Sequence, residues 1–115
     1  MTTPETTSAA GLTALDEQLR AHPECLSPAW LNGVVDTLRA AFDHYRQEIK
    51  TGEIPDGLKA RFAAVTDRHD RLIDAYHEAV SDDARLVHAR TLIQHLGILI
   101  AVRTAQDALL AQDAA

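Results

Sequence analysis

The chain has 115 residues, 46% of them hydrophobic and 24% charged, which is the balance of one folded globular domain and not of a disordered chain. The 11 Lys and Arg against 17 Asp and Glu leave a formal net charge of −6, which argues against nucleic acid as a partner because phosphate binding needs clustered positive charge. With the single Cys25, no secretory leader and no apolar run long enough for a bilayer, we expect a cytoplasmic protein without a membrane partner.

The composition also favours helices around an aliphatic core. Aromatic residues make up only 4% of the chain, while Ala, Leu, Arg and Gln, which are good helix formers, are abundant. Residues 1–8 are rich in Thr, Pro and Ser, and this composition predicts a disordered tail. We therefore expect residues 9–115 to form a single helical-bundle domain.

The first predicted helix is short and covers residues 9–21. Leu12, Leu15 and Leu19 share one stripe of it, so the helix is amphipathic. A helix of this length is marginal in isolation and must dock on the rest of the domain. Pro23 ends it, because the residue before a proline is pushed out of the helical region.

The second helix is predicted from Pro28 to about Lys50. Ser27 followed by Pro28 is a strong start signal, since it combines an oxygen cap with a proline at the first helical position. Gly52 is expected to supply a left-handed residue just past the helix end.

The third helix is predicted from about Leu58 to Val80. One polar residue, His69, lies squarely inside its apolar stripe. The simplest interpretation is a core histidine that is satisfied by one hydrogen bond, for example from Tyr45 or Tyr76. The full predicted stripe is Leu58, Phe62, Val65, His69, Leu72, Ile73, Tyr76 and Val80.

The last helix, predicted over residues 85–110 after a cap at Ser81 and an acidic turn, is the one around which the chain is organised. Two apolar stripes with alternating spacings of three and four residues run along it, and together they cover about twice the arc of a simple surface helix. This helix must therefore be covered from two sides, either by two helices of one bundle or by one helix and a partner subunit. The second stripe consists of His88, Leu92, His95, Leu99, Val102, Gln106 and Leu109.

These elements predict an all-α fold, an antiparallel bundle of three long helices with a short N-terminal helix. No catalytic motif stands out, so our first hypothesis is a non-enzymatic interaction protein, a homo-oligomer or small adaptor, which uses the second stripe as its interface. In that hypothesis His88, His95 and Gln106 act as the polar positions that set register and partner number in coiled interfaces.

Two alternatives stay open at this stage. One is a helical-bundle metal- or cofactor-binding protein that uses His69, His88 and His95, since a metal site needs three or four donors. The other is an acidic regulator, similar in kind to an immunity protein or antitoxin, which blocks a basic target. Its binding face would be an acidic line along the third helix, formed by Asp67, Asp70, Asp74, His77 and Glu78.

Overall fold

The computed structural model describes residues 9–22 and 26–114. The described residues form helices and the connections between them and contain no strand, which confirms the all-α prediction. The predicted tail and the segment around Cys25 lie outside the described residues. The four helices that pack together are α1 (Ala9–Ala21), α2 (Pro28–Thr51), α3 (Asp56–Glu78) and α4 (Asp82–Ala114).

Two of the helix starts follow the predicted capping signals. The Ser27 hydroxyl accepts a hydrogen bond from the Trp30 backbone N–H at 3.1 Å, and Pro28 is the first residue of α2. At the start of α4, the Ser81 hydroxyl accepts from the Ala84 backbone N–H at 3.1 Å. Both caps satisfy backbone donors that a helix leaves unpaired in its first turn.

The prediction for Gly52 was wrong about the backbone. Gly52 has φ −91° and ψ 173°, an extended conformation open to any residue, so no left-handed residue ends α2. The absence of a side chain matters for another reason, since a Cβ atom placed there would lie 2.9 Å from Nε2 of Gln106. Close packing from α4 therefore limits the size of the residue at this position.

The third helix ends earlier than predicted. Its last residue is Glu78, and Val80 lies in the connection to α4 with 95% of its surface exposed. Val80 is thus not part of the apolar stripe, because the chain has left the helical path two residues before it.

Helix α4 is the centre of the molecule, and each of the other three helices packs against it. Its 33 residues span about 50 Å at 1.5 Å per residue, which accounts for the longest dimension of the molecule, 51 Å. The prediction that this helix is covered from two sides is confirmed. Its buried residues are Ala89, Leu92, Ile93, His95, Leu96, Leu99, Val102 and Gln106.

Side-chain contacts show which ends of the long helices meet. The Tyr76 hydroxyl, near the end of α3, donates to Oδ1 of Asn32, near the start of α2, at 2.5 Å. Arg103, in the second half of α4, donates to Glu48, near the end of α2, at 2.6 Å.

Candidate functional site

Most of the second stripe of α4, our predicted interface, lies inside the monomer. Five of its seven residues have at most 8% of their surface exposed, because α2 and α3 pack on this side of α4. These side chains are not available to a partner in the folded chain, so the structure corrects this prediction at five positions. The five are Leu92, His95, Leu99, Val102 and Gln106; His88 is partly exposed and Leu109 is exposed.

Gln106 bonds to the end of α2 and not to a partner chain. Its Nε2 donates to the backbone carbonyl of Glu53 at 2.8 Å and, more weakly, to that of Ile49 at 3.5 Å. The last carbonyls of a helix have no partner within the helix, so this side chain satisfies groups that would otherwise be unpaired. The polar residue in the stripe therefore fixes the junction between α2 and α4.

The close approach of Gly52 to Gln106 makes a testable pair. We expect Gly52→Ala to lower the free energy of unfolding by about 1 kcal/mol, because the new Cβ must displace the bonded Nε2. In a Gln106→Ala background the same change should cost almost nothing, since the next contact, the Glu48 carbonyl at 3.5 Å, is ordinary. Urea unfolding of the four proteins of this double-mutant cycle measures the coupling, and equal costs in both backgrounds would contradict this explanation.

His69 is buried inside the apolar stripe of α3, as the sequence predicted. It has 3% of its surface exposed, and its ring stacks on that of Phe42 with centroids 3.6 Å apart and planes 4° from parallel. Its Nδ1 has no hydrogen-bond partner, and Tyr76, one of the two suggested donors, donates to Asn32. Burial lowers the pKa of His69 from 6.5 to about 4.

The three candidate metal ligands are not brought together as a ligand set. His95 is buried on α4, and its pKa is lowered by burial and, to a smaller extent, by the charge of Arg68. His88 lies two turns earlier and is partly exposed. Within residues 9–22 and 26–114, no group of three His, Cys, Asp or Glu side chains is arranged to hold a metal ion.

The acidic line of α3 is exposed and partly neutralised. Asp67 pairs with Arg71 one turn later at 2.9 Å, and Asp70 lies 3.8 Å from Arg46 of α2. Exposed pairs of this kind contribute little to stability. The hypothesis of an acidic regulator of a basic target stays a prediction.

A cavity of about 180 Å³ lies between α2 and α3 beside His69. Sequence reasoning did not find it, because its residues come from two helices and only their packing brings them together. It is lined by Arg39, Asp43, Arg46, His69, Asp70, Ile73 and Asp74.

One side of α4 remains exposed, and we call it the open face. Its larger apolar residues are Val87, Ile98 and Leu109, which are 58%, 43% and 38% exposed. None of its residues is charged, although Arg90, whose side chain is 31% exposed, lies beside Val87 and Gln94. Charged residues are frequent on the exposed sides of the other helices. The open face consists of Val87, Thr91, Gln94, Ile98, Ala101, Ala105, Ala108 and Leu109.

Only Leu109 belongs both to the open face and to the interface predicted from the sequence. The search for hydrophobic residues selected the buried stripe, since its residues are larger and more apolar. A search for missing charge would have found the open face, because Arg and Asp are absent from it at every position.

Comparisons with known proteins do not assign the chain to a family. It matches no protein-family model, no curated protein and no solved structure. Among the described helices, none is long and apolar enough to span a lipid bilayer.

Proposed function

We propose that this protein is a non-enzymatic helical bundle that works through protein–protein interaction, and that its open face pairs with the open face of a second copy. We infer that the long helices form an antiparallel bundle, and the contact between the end of α3 and the start of α2 supports this. The observation that carries the proposal is the open face itself, a line of uncharged and partly apolar residues along α4 from Val87 to Leu109. Contiguous exposed apolar surface commonly marks an interaction site.

The spacing of the open face suits helix pairing. From Val87 to Ala108 its residues follow one another at alternating steps of four and three, which is the 3.5-residue period of a coiled-coil contact line. Ala101, Ala105 and Ala108 are small, so a second helix can approach closely in the second half of α4. The line extends over roughly 32 Å at 1.5 Å per residue.

Charge favours a second copy over an acidic partner. The three arginines of α4 are already paired within the chain: Arg85 with Asp82 at 2.8 Å, Arg90 with Asp16 at 3.3 Å, and Arg103 with Glu48 at 2.6 Å. In a symmetric dimer the same patch meets itself, so a patch with charges of one sign would repel its copy. An uncharged patch avoids that repulsion.

The size of the surface sets the expected affinity. A single helix face about 32 Å long and roughly 10 Å wide buries less than the roughly 800 Å² per partner of a standard interface. We therefore expect a weak dimer with a Kd in the micromolar range.

Ile98→Glu tests the proposal at the middle of the open face. Sedimentation velocity across a concentration series should show a monomer–dimer equilibrium for the unchanged protein and a monomer for this variant, because a glutamate would be desolvated in the contact. Ala60→Glu, at an exposed position of α3 away from the open face, is the matched control and should still dimerise.

Circular dichroism should show the same helix content in both variants, since both positions are exposed. A monomeric wild-type protein throughout the micromolar range would overturn the proposal. So would a dimer that Ile98→Glu leaves intact.

A further inference from the structure

The cavity between α2 and α3 is lined mostly by charged residues, and it lies outside the surface that the proposed dimer buries. Two of its lining residues, His69 and Ile73, are buried, and they form its inner wall. The remaining residues carry charge, and none of them lies on α4. The charged lining residues are Arg39, Asp43, Arg46, Asp70 and Asp74.

The charges at one end of the cavity are paired, and those at the other end are not. Arg46 lies 2.9 Å from Asp43 and 3.8 Å from Asp70, so its charge is shared between two carboxylates. Arg39 of α2 and Asp74 of α3 make no ion pair with each other or with another residue in the described part of the chain. The cavity thus holds one unpaired cation and one unpaired anion, on different helices.

The inner wall adds a polar group without charge. One face of the His69 ring is covered by Phe42, and the side chain is 97% buried although it lines the cavity. Its Nδ1 has no hydrogen-bond partner and is itself buried, so other atoms of the ring line the cavity. Because burial holds the pKa of His69 at about 4, the imidazole is neutral near pH 7 and does not repel a ligand cation.

We propose that this cavity binds a small zwitterion of amino-acid size, with the ligand carboxylate on Arg39 and the ligand ammonium on Asp74. A zwitterion neutralises both unpaired charges at once. A simple anion would meet three carboxylates, and a simple cation would leave Arg39 unpaired beside it. The volume of about 180 Å³ is below the 300–1,000 Å³ typical of drug-sized ligands, and it suits a molecule of a few heavy atoms.

Titration of the full chain with four probes tests the site. Glycine and 4-aminobutyrate are zwitterions with a short and a long separation of charges, and butylamine and butyrate carry the two charges singly. Backbone amide and His69 ring resonances followed by NMR should saturate with at least one zwitterion, with a Kd on the order of 1 mM. The single charges should bind at least about 10-fold more weakly, because each lacks one charged partner.

Variants then identify the contacts. Arg39→Gln and Asp74→Asn should each raise the Kd of the bound zwitterion roughly 10-fold. Arg71→Gln and Asp67→Asn remove an exposed ion pair of α3 outside the cavity and should leave the Kd within about 2-fold. Failure of both zwitterions to saturate, equal binding of all four probes, or unchanged binding in Arg39→Gln would overturn the proposal.

Discussion

Acidification from pH 7 to pH 4 is expected to remove about 3 kcal/mol of stability through His69 alone. The folded-state pKa of about 4 lies below the 6.5 of an exposed histidine, and 1.36 kcal/mol accompanies each pH unit of that difference. This loss is a large share of the roughly 5–15 kcal/mol that stabilises a typical domain. The cause is burial, since the imidazolium would lie against Phe42 with little access to water.

The direction of the pH dependence follows from which state binds the proton. Above pH 6.5 the imidazole is neutral in both states, and the full stability is present. Between pH 6.5 and about 4 the unfolded chain binds a proton that the folded chain does not, so stability falls as the pH falls. Below about pH 4 both states are protonated, and this contribution stays constant.

Neighbouring charges also change the pKa of His69, but they do not reverse the direction in which burial shifts it. Asp70 and Asp43 raise the pKa of His69, whereas Arg46 and His95 lower it, and the effect of burial exceeds all four. The pKa of His95 is also lowered by burial, so His95 adds a loss of the same sign.

Urea unfolding of wild type and His69→Leu between pH 7.5 and pH 4 measures this contribution. Leucine fills a similar volume and does not titrate, so the stability of the variant should fall by about 3 kcal/mol less over this range. Leu58→Met is the control, because it changes a buried residue of α3 that does not titrate and should leave the profile parallel to that of wild type. Parallel profiles for wild type and His69→Leu would contradict a buried neutral His69.

The second large effect is expected at Leu99, next to Ile98 on α4. Leu99 has 0% of its surface exposed, so Leu99→Ala removes buried methyl groups from the central helix and should cost about 3 kcal/mol. Leu99→Glu should abolish folding, since it would bury an unpaired carboxylate between packed helices. Ile98 is 43% exposed, and Ile98→Ala should change the stability of the monomer by about 0.5 kcal/mol or less.

Thermal and urea unfolding below the concentration of dimer formation separates these two positions. Leu99 and Ile98 are adjacent in the chain, and the test distinguishes the core residue from the interface residue. If Leu99→Glu were folded and merely monomeric, the second stripe would be an interface after all and the assignment of Leu99 to the core would be wrong.

Several features were predictable because their causes lie within a few residues. The starts of α2 and α4 depend on Ser27 and Ser81, each of which bonds a backbone N–H three residues later. The bounds of α1 follow from its leucine stripe and the proline after it. The need to cover α4 from two sides follows from its own apolar arc, whatever covers it.

Other features were not predictable, since they depend on residues far apart in the chain. The local sequence pattern predicts that Gln106 is an interface residue. In the structure its side chain instead bonds to the Glu53 carbonyl, 53 positions earlier, at 2.8 Å. The pattern around His69 predicts a core histidine, but it does not predict that the ring of Phe42 stacks on it. Neither contact has a signal in the local pattern.

By itself, then, the sequence determined an all-helical chain, the starts of two long helices and a last helix too apolar to stand on the surface. Local backbone hydrogen bonding and the 3.6-residue period of side chains are sufficient for these. Only the tertiary structure decided that α2 and α3 cover the second stripe, that the uncharged side of α4 stays open and that Arg39 and Asp74 share a cavity. The reason is that the choice among competing apolar faces is made by packing between helices, where volumes and partners distant in sequence determine which arrangement has the lowest free energy.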